Sequence, residues 1–242
     1  MSDIDTLMEW IKESNNTVFF GGAGVSTESG LKDFRSKDGL YYEKYDYPPE
    51  EILSHDFFFD KPEEFFKFYR EKLNVEVFSP NITHDVLTMM EENNLLNCII
   101  TQNIDGFHTD SGSQNVLELH GSIKRNYCTK CHQFYSDEKV FSTKDIPHCS
   151  CGGMIKPDVV LYQEPLNDEV VRKTIEAIQK ADLLIIGGTS LNVYPAAGFL
   201  HYFSGKHLVL INLDKTPFDR TCDLVIHEKL GEVFQKIKEE LF

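Results

Sequence analysis

With 242 residues, 41% of them hydrophobic, the chain can bury a full core as one large α/β domain or one with a small insert, and no apolar run is long enough to cross a membrane. Lys and Arg total 24 against 39 Asp and Glu, a net charge of −15 that repels phosphate backbones and anionic lipid and argues against nucleic-acid and membrane partners. The first 16 residues are acidic and lack a targeting pattern, so a cytoplasmic location is expected; there, clustered cysteines point to metal before disulfides.

Ile4, Leu7, Met8 and Ile11 recur at helical spacing and predict an amphipathic first helix. Thr17-Val18-Phe19-Phe20 predicts a buried strand that empties into Gly21-Gly22-Ala23-Gly24. A glycine-rich strand end bends tightly and lets another group approach its backbone. A helix starting after Gly24 would aim free N–H groups at the same spot, a setting that suits phosphate. The dinucleotide fingerprint is incomplete, since Thr27 stands where the third glycine would be, and an ordinary strand-to-helix turn is the alternative. Asp33-Phe34-Arg35 adds an anion, a ring and a cation to the loop.

From Tyr41 to Arg70, eleven of the chain's 29 aromatic residues crowd into 30 positions, which Pro48-Pro49 and Pro62 break into short helices. They predict a small helical module, either simply packed or acting as a lid that excludes water. A helix from about residue 81 carries His84, Val86, Leu87 and Met90. It leads to a buried strand over 97–101 that ends in Gln102-Asn103-Ile104-Asp105-Gly106. Ligand-binding residues of doubly wound sheets cluster beyond strand ends, so Asn103 and Asp105 are candidates to hold an amide and a hydroxyl; an Asx turn is the plain alternative. An alternating strand over 116–119 runs into His120-Gly121, where His120 is a candidate general base, although a lone histidine is more often structural.

Cys128-x-x-Cys131, seventeen residues, then Cys149-x-Cys151 is the spacing of a closed four-thiolate zinc site. The CxC knuckle is tighter than usual; a redox-active or degenerate site competes, and His132 or His148 can substitute for a ligand. A strand over 157–164 leaves this module, followed by a helix over 168–181 and an apolar strand over 182–186 ending in Gly187-Gly188-Thr189-Ser190. Pro195 opens a helix. A strand over 207–211 ends in Asn212-Leu213-Asp214, where an amide or carboxylate can bind ribose hydroxyls, and a short strand over 224–226 precedes a closing amphipathic helix. Apolar strands alternating with helices predict a parallel sheet covered on both faces, interrupted by the aromatic and cysteine modules as a second, smaller domain.

Gly22-Ala23-Gly24-Val25-Ser26, Ser29-Gly30 with Asp33-Phe34-Arg35, Thr101-Gln102-Asn103-Ile104-Asp105, His120-Gly121, the paired cysteines, and Gly188-Thr189-Ser190 with Pro195-Ala196 agree in identity and order with one family. The chain resembles the sirtuins, NAD-dependent protein-lysine deacylases, in their short bacterial form. The resemblance implies an α/β fold with a Rossmann-type NAD domain over 1–35, 80–123 and 158–242. The helical module 36–79 and the zinc module 124–157 would form the small domain, with the active site in the cleft between the two. It implies NAD as co-substrate and one structural Zn²⁺ on Cys128, Cys131, Cys149 and Cys151. Gly22, Ala23, Gly24, Thr27 and Arg35 would surround the phosphates and ribose, with Gln102 also on the ribose. Phe34 would screen the nicotinamide side from water; Asn103, Ile104 and Asp105 would form the nicotinamide pocket; Gly188, Thr189, Ser190, Asn212 and Leu213 would hold the adenosine half. His120, as general base, and Asn103 would be the catalytic pair. The substrate's acetyl oxygen would attack C1′ of the nicotinamide ribose, and His120 would take a proton from the ribose hydroxyls. The products would be nicotinamide, O-acetyl-ADP-ribose and free lysine. An acetyl-lysine peptide would pair as an added strand between Val159, Val160, Leu161 and Tyr162 on one side and Leu191 and Val193 on the other. The enzyme would act as a cytoplasmic monomer.

Three positions depart from the family pattern. Tyr162-Gln163-Glu164 replaces the common Phe-Gly-Glu, and Gln163 is expected to need ordinary backbone angles where glycine is free. The second knuckle is CxC, and Lys32 replaces the usual Pro before Asp33. Phe66 and Tyr69 stand where succinyl-preferring members carry Tyr and Arg, so uncharged acyl groups, acetyl first, are expected. Protein ADP-ribosyltransfer, a catalytically silent NAD sensor and a zinc-ribbon dehydrogenase are the competing readings.

Overall fold

The structure, a computed structural model, describes residues 2–32, 46–192 and 194–242. Asp33, Phe34, Arg35, Tyr41, Tyr42, Tyr45 and Val193 lie outside the described residues.

Helix α1 (Asp3–Glu13) opens on a capping box, in which the Ser2 hydroxyl accepts from Asp5 N and the Asp5 carboxylate accepts from Ser2 N. It buries Ile4, Leu7, Met8 and Ile11, as the spacing requires. Strand β1 (Thr17–Gly21) follows, and then α2 (Pro49–Ile52), α3 (His55–Asp60) and α4 (Pro62–Lys72) of the aromatic tract. Helix α5 (Ile82–Glu92), capped by Asn81, leads to β2 (Cys98–Thr101), α6 (Phe107–Asp110) and β3 (Val116–Glu118). The cysteine module contains β4 (Gly121–Cys128), β5 (Phe134–Ser136), α7 (Asp137–Ser142) and β6 (Ile155–Val159). Helix α8 (Asp168–Lys180), β7 (Leu183–Gly187), β8 (His207–Ile211), β9 (Leu224–Ile226) and α9 (Leu230–Leu241) complete the chain.

Six strands form one parallel sheet in the order β3-β2-β1-β7-β8-β9. The central strands are buried on both faces, because helices cover both. Alternation sends neighbouring residues to opposite cores: Phe19 and Ile185 pack with Leu87 and Phe234, whereas Phe20 and Ile186 pack with Ile178 and Leu200. The chain winds from β1 through β2 to β3 on one side and returns through β7 to β9 on the other, so the switch point lies between β1 and β7. Gly21 pairs with both Thr101 and Gly187, and the three central strands therefore end level with one another.

Beside this sheet, β5-β4-β6 form an antiparallel ribbon. The ribbon and the aromatic helices share one apolar cluster, in which Phe58, Phe65, Phe66 and Tyr69 meet Ile123, Cys128, Val140 and Ile155. Phe66 and Tyr69 are completely buried there, Tyr69 stacked between Phe65 and Phe141. The two positions on which the acyl preference was argued thus lie inside the module, and Arg70 is tied to the carbonyls of Lys144 and Asp145.

Four expectations change. Among the described residues up to Lys32 no α-helix follows Gly24; the loop makes two 3-10 turns, Ala23–Val25 and Thr27–Ser29, because Gly24 N is drawn to Gly188 O and Gly30 turns left-handed at φ 93°. The strand expected over 157–164 ends at Val159, and Tyr162 makes a single bridge to Ser54. Pro195 opens a 3-10 helix, Ala196–Tyr202. Gln163 does not keep ordinary angles but takes the left-handed φ of 75° that glycine would supply.

Candidate active site

The glycine turn and the end of β7 touch backbone to backbone. Gly22 N donates to Gly187 O at 3.1 Å and Gly24 N to Gly188 O at 2.8 Å. A Cβ on Gly24 would lie 2.7 Å from Gly188 Cα, so no larger residue fits the contact. Thr27 Oγ1 donates to Gly24 O, leaving Ala23 and Thr27 at the accessible edge of a small-residue cradle. Such a cradle admits a pyrophosphate to the backbone, although its donors come from 3-10 turns rather than from a helix end.

A buried polar chain lies beneath it. Asn103 Nδ2 donates to Ser26 Oγ at 3.1 Å, and Ser26 Oγ donates to Asp105 Oδ2 at 2.7 Å. Phe107 N donates to the other Asp105 oxygen, and Asn103 N to Thr101 Oγ1. Burial pushes the Asp105 carboxyl above its ordinary value, while the bonds from Phe107 N and Ser26 oppose that rise. These contacts fix both side chains of the β2 loop and place a carboxyl and an amide side by side, the pair that a carboxamide ligand needs. Ile104 packs half-buried against the small-domain cluster.

His120 follows β3, close to this chain. Its Nδ1 lies 2.8 Å from Gln102 O. A carbonyl only accepts, so Nδ1 carries the proton and Nε2 keeps a lone pair. Burial lowers the imidazole's pKa, with the Gln102 carbonyl acting the other way. Gln102 Nε2 also reaches Thr189 Oγ1 at 3.3 Å, which links the β2 and β7 ends. Gly121 must be glycine: its φ is 74°, and a Cβ would lie 1.8 Å from Asp158 O. The backbone of His120 is joined to the segment after β6, as Val160 N donates to His120 O at 2.9 Å.

At the far end of the crevice, Gly188 N donates to Ile211 O, and Asn212 Nδ2 donates to Asp214 O at 2.7 Å. Ser190 and Leu213 are exposed beside them. Val159 and Leu161 are buried and Tyr162 is partly exposed, at 41%. Leu161 N donates to Glu164 Oε2, Tyr162 N to Leu53 O, and His55 N to Tyr162 O. Leu191, buried at φ 57°, donates its N–H to Thr189 Oγ1.

The four expected cysteines meet. Their Sγ atoms all lie within 4.8 Å of one another, with Cys128–Cys151 and Cys131–Cys151 at 3.4 Å and Cys131–Cys149 at 3.6 Å. A tetrahedron of thiolates about 2.3 Å from Zn²⁺ has edges of roughly 3.8 Å, so the set fits one structural zinc ion. Gly152 at φ 78°, with Gly152 N donating to Cys149 O, closes the tight CxC knuckle without help from histidine. His148 binds Ile146 O instead, and neither His132 nor His148 belongs to the cluster. The eight-residue β4 separates Cys128 from His120, an extended span of roughly 23 Å, so the metal holds the module together and stays out of the chemistry.

Two contributors escaped the sequence reading. Ser26 bridges Asn103 and Asp105, and the only signal was a hydroxyl in a turn of otherwise small residues. Arg125 joins Glu118, the last residue of β3, at 2.5 Å to Asp158 of β6 at 2.8 Å, a long-range link that spacing does not reveal.

The family model described as the Sir2 family matches residues 22–195. An NAD-dependent protein deacetylase of Clostridium perfringens is 56% identical over 238 residues, covering 97% of this chain and 98% of that one, and one of Clostridium tetani is 50% identical over 97% of both. Among solved structures, a Sir2 with a p53 peptide and NAD⁺ superposes at TM-score 0.88 and 36% identity, covering 99% of this chain and 98% of that one. A Sir2 bound to acetylated peptide gives 0.87 and 35% over the same shares. Together with the glycine cradle, the buried Ser26–Asn103–Asp105 chain and the carbonyl-held imidazole of His120, this similarity along the length of the chain identifies it as a member of the Sir2 family.

Proposed function

We infer that the chain is an NAD-dependent protein deacetylase that removes acetyl groups from protein lysines, consuming one water as the bond from the acetyl carbon to the lysine nitrogen breaks, and yields nicotinamide, O-acetyl-ADP-ribose and free lysine. The observation that carries this reading is the hydrogen bond from His120 Nδ1 to Gln102 O, which leaves a neutral imidazole with its Nε2 lone pair beside a cradle for a dinucleotide. NAD supplies the ribose carbon and hydroxyls that accept the acetyl group, and nicotinamide as leaving group. Asn103 and Asp105, fixed by Ser26, hold the carboxamide and orient the ring away from water. Gly22, Gly24 and Thr27 approach the phosphates; Thr189, Ser190, Asn212 and Leu213 take the adenosine half. His120 Nε2 accepts the proton from the ribose hydroxyl that goes on to bond the acetyl carbon. For Arg35 and Phe34 the family resemblance alone supports roles on the phosphates and the nicotinamide side.

The acetyl-lysine peptide is received between 159–162 and 191–194. The N–H groups of Val160, Leu161 and Tyr162 are bonded within the chain, so it engages the other backbone groups and side chains of these segments. A small domain of residues 36–79 and 124–157 is supported by an apolar cluster drawn mostly from these two modules, to which Phe107, Ile123, Val159 and Leu161 also contribute. A monomer acting in the cytoplasm without nucleic acid accords with the charge of −15, and no helix among the described residues is long and apolar enough to cross a membrane. Mass spectrometry of the products tests the reaction: an acetyl group carried on ADP-ribose supports it, whereas free acetate formed directly, or ADP-ribose attached to protein, contradicts it.

A further inference from the structure

Gln163 stands at a left-handed turn, φ 75°, directly after the segment that receives the peptide. A non-glycine residue holds such angles only when its surroundings favour them. Here its side chain forms a closed pair with Asp56: Asp56 N donates to Gln163 Oε1 at 3.0 Å, and Gln163 Nε2 donates to Asp56 Oδ2 at 3.0 Å. Asp56 lies in the first turn of α3, where backbone N–H groups have no partner within the helix. The three N–H groups of that turn are satisfied in sequence. His55 N donates to Tyr162 O, Asp56 N to Gln163, and Phe57 N to the Ser54 hydroxyl. Two of the three acceptors therefore belong to the turn after β6, and a glycine at 163 would leave Asp56 N to solvent. Tyr162 N, donating to Leu53 O, and Glu164 Oε1, 3.0 Å from His55 Nδ1, extend the same seam on either side. Glu164 Oε2 in turn accepts from Leu161 N and Lys156 Nζ, so the turn is braced from within as well.

We propose that Gln163 is a positioning residue for the peptide substrate: by capping α3 through Asp56 it clips the helical module to the turn after β6 and sets the shape of residues 159–162 before the peptide arrives. The glycine of the family pattern gives the turn its angles without strain; glutamine accepts the strained angle and supplies a hydrogen-bonded contact that glycine cannot make. A segment ordered in advance loses less conformational freedom on binding, so the clip acts on peptide affinity and leaves the chemistry at His120 unchanged.

The inference rests on the peptide being received at 159–162, and steady-state kinetics with an acetyl-lysine peptide test it. Gln163→Gly relieves the backbone strain and removes the clip, and Gln163→Glu sets two carboxylates against each other. Each is expected to raise the peptide KM about fivefold, the effect of roughly one net hydrogen bond, with kcat and the KM for NAD unchanged. Gln163→Glu combined with Asp56→Asn restores an amide–carboxylate pair in the opposite sense and is expected to return the KM to within about twofold of the parent. A loss of fold or of general activity would instead lower kcat and would not be rescued by the swap. An unchanged KM in Gln163→Gly, or a swap that recovers nothing, overturns the clip. A photoreactive acetyl-lysine peptide cross-linked to the parent protein separates the two ideas. Adducts on 159–162 with an unmoved KM sink the clip alone, and adducts confined elsewhere sink the peptide-site reading and the inference with it.

Discussion

The Gln102 carbonyl fixes the imidazole of His120 as the Nδ1–H tautomer, and burial makes its protonated form less favourable than in water. In the proposed role of general base, His120 must be neutral; with its pKa lowered from 6.5 it is neutral at pH 7 and is protonated only on further acidification. The acid limb of kcat/KM against pH is expected to have its midpoint below that value, and a midpoint above it would contradict a buried, carbonyl-held base. The placement of Asn103, Asp105 and His120 just past the ends of β2 and β3 was legible in the sequence, because each follows a short apolar strand. Ser26 was not, since its role depends on a contact 77 residues away. Gln163 was misread, because its left-handed angle is favoured by Asp56, a partner that local rules cannot supply.

Among elements, the sheet was the most legible part, as fully buried strands read as continuous apolar runs wherever they occur. The short turns were the least: a 3-10 turn after Gly24 and a strand that stops at Val159 are decided by Gly188 O and by the seam with α3, both products of tertiary packing. The cysteine module was legible from spacing alone, and its structure makes a direct prediction. Four thiolates hold the end of β4 and the CxC knuckle around one point, and the module shares its core with the aromatic helices. Removing zinc with a chelator is expected to release one equivalent per chain and to loosen that shared core, read as loss of near-ultraviolet aromatic dichroism. Metal analysis showing no zinc, or unchanged dichroism after its removal, would contradict a structural role.

Across the whole molecule, a pair of buried histidines ties stability to pH. His84 and His108 lie with ring centroids 4.8 Å apart between α5 and α6, and His108 has neither ring nitrogen bonded. Burial lowers the pKa of His84 to about 4 and that of His108 well below its ordinary value. The unfolded chain therefore takes up protons first as the pH falls through 6.5, and stability declines from there toward about 4. His84 alone accounts for about 3 kcal/mol over that window, at 1.36 kcal/mol per pH unit. Denaturant unfolding at pH 7 and pH 5 is expected to show the loss, and His84→Gln should reduce the pH dependence; a flat profile would contradict it. His108 lies in α6, which directly follows the loop that carries Asn103 and Asp105, so that loop shares its support with the core. The account as a whole turns on acetyl-dependent use of NAD with His120 as base. The measurement is nicotinamide release with an acetyl-lysine peptide, with the unmodified peptide, and with the acetyl peptide and His120→Ala. Release over many turnovers should require the acetyl group and fall by about 10²- to 10⁴-fold in the variant, because His120 acts after the first nicotinamide has left and is needed to complete each cycle. Equal release with the unmodified peptide, or an active His120→Ala protein, would contradict the account.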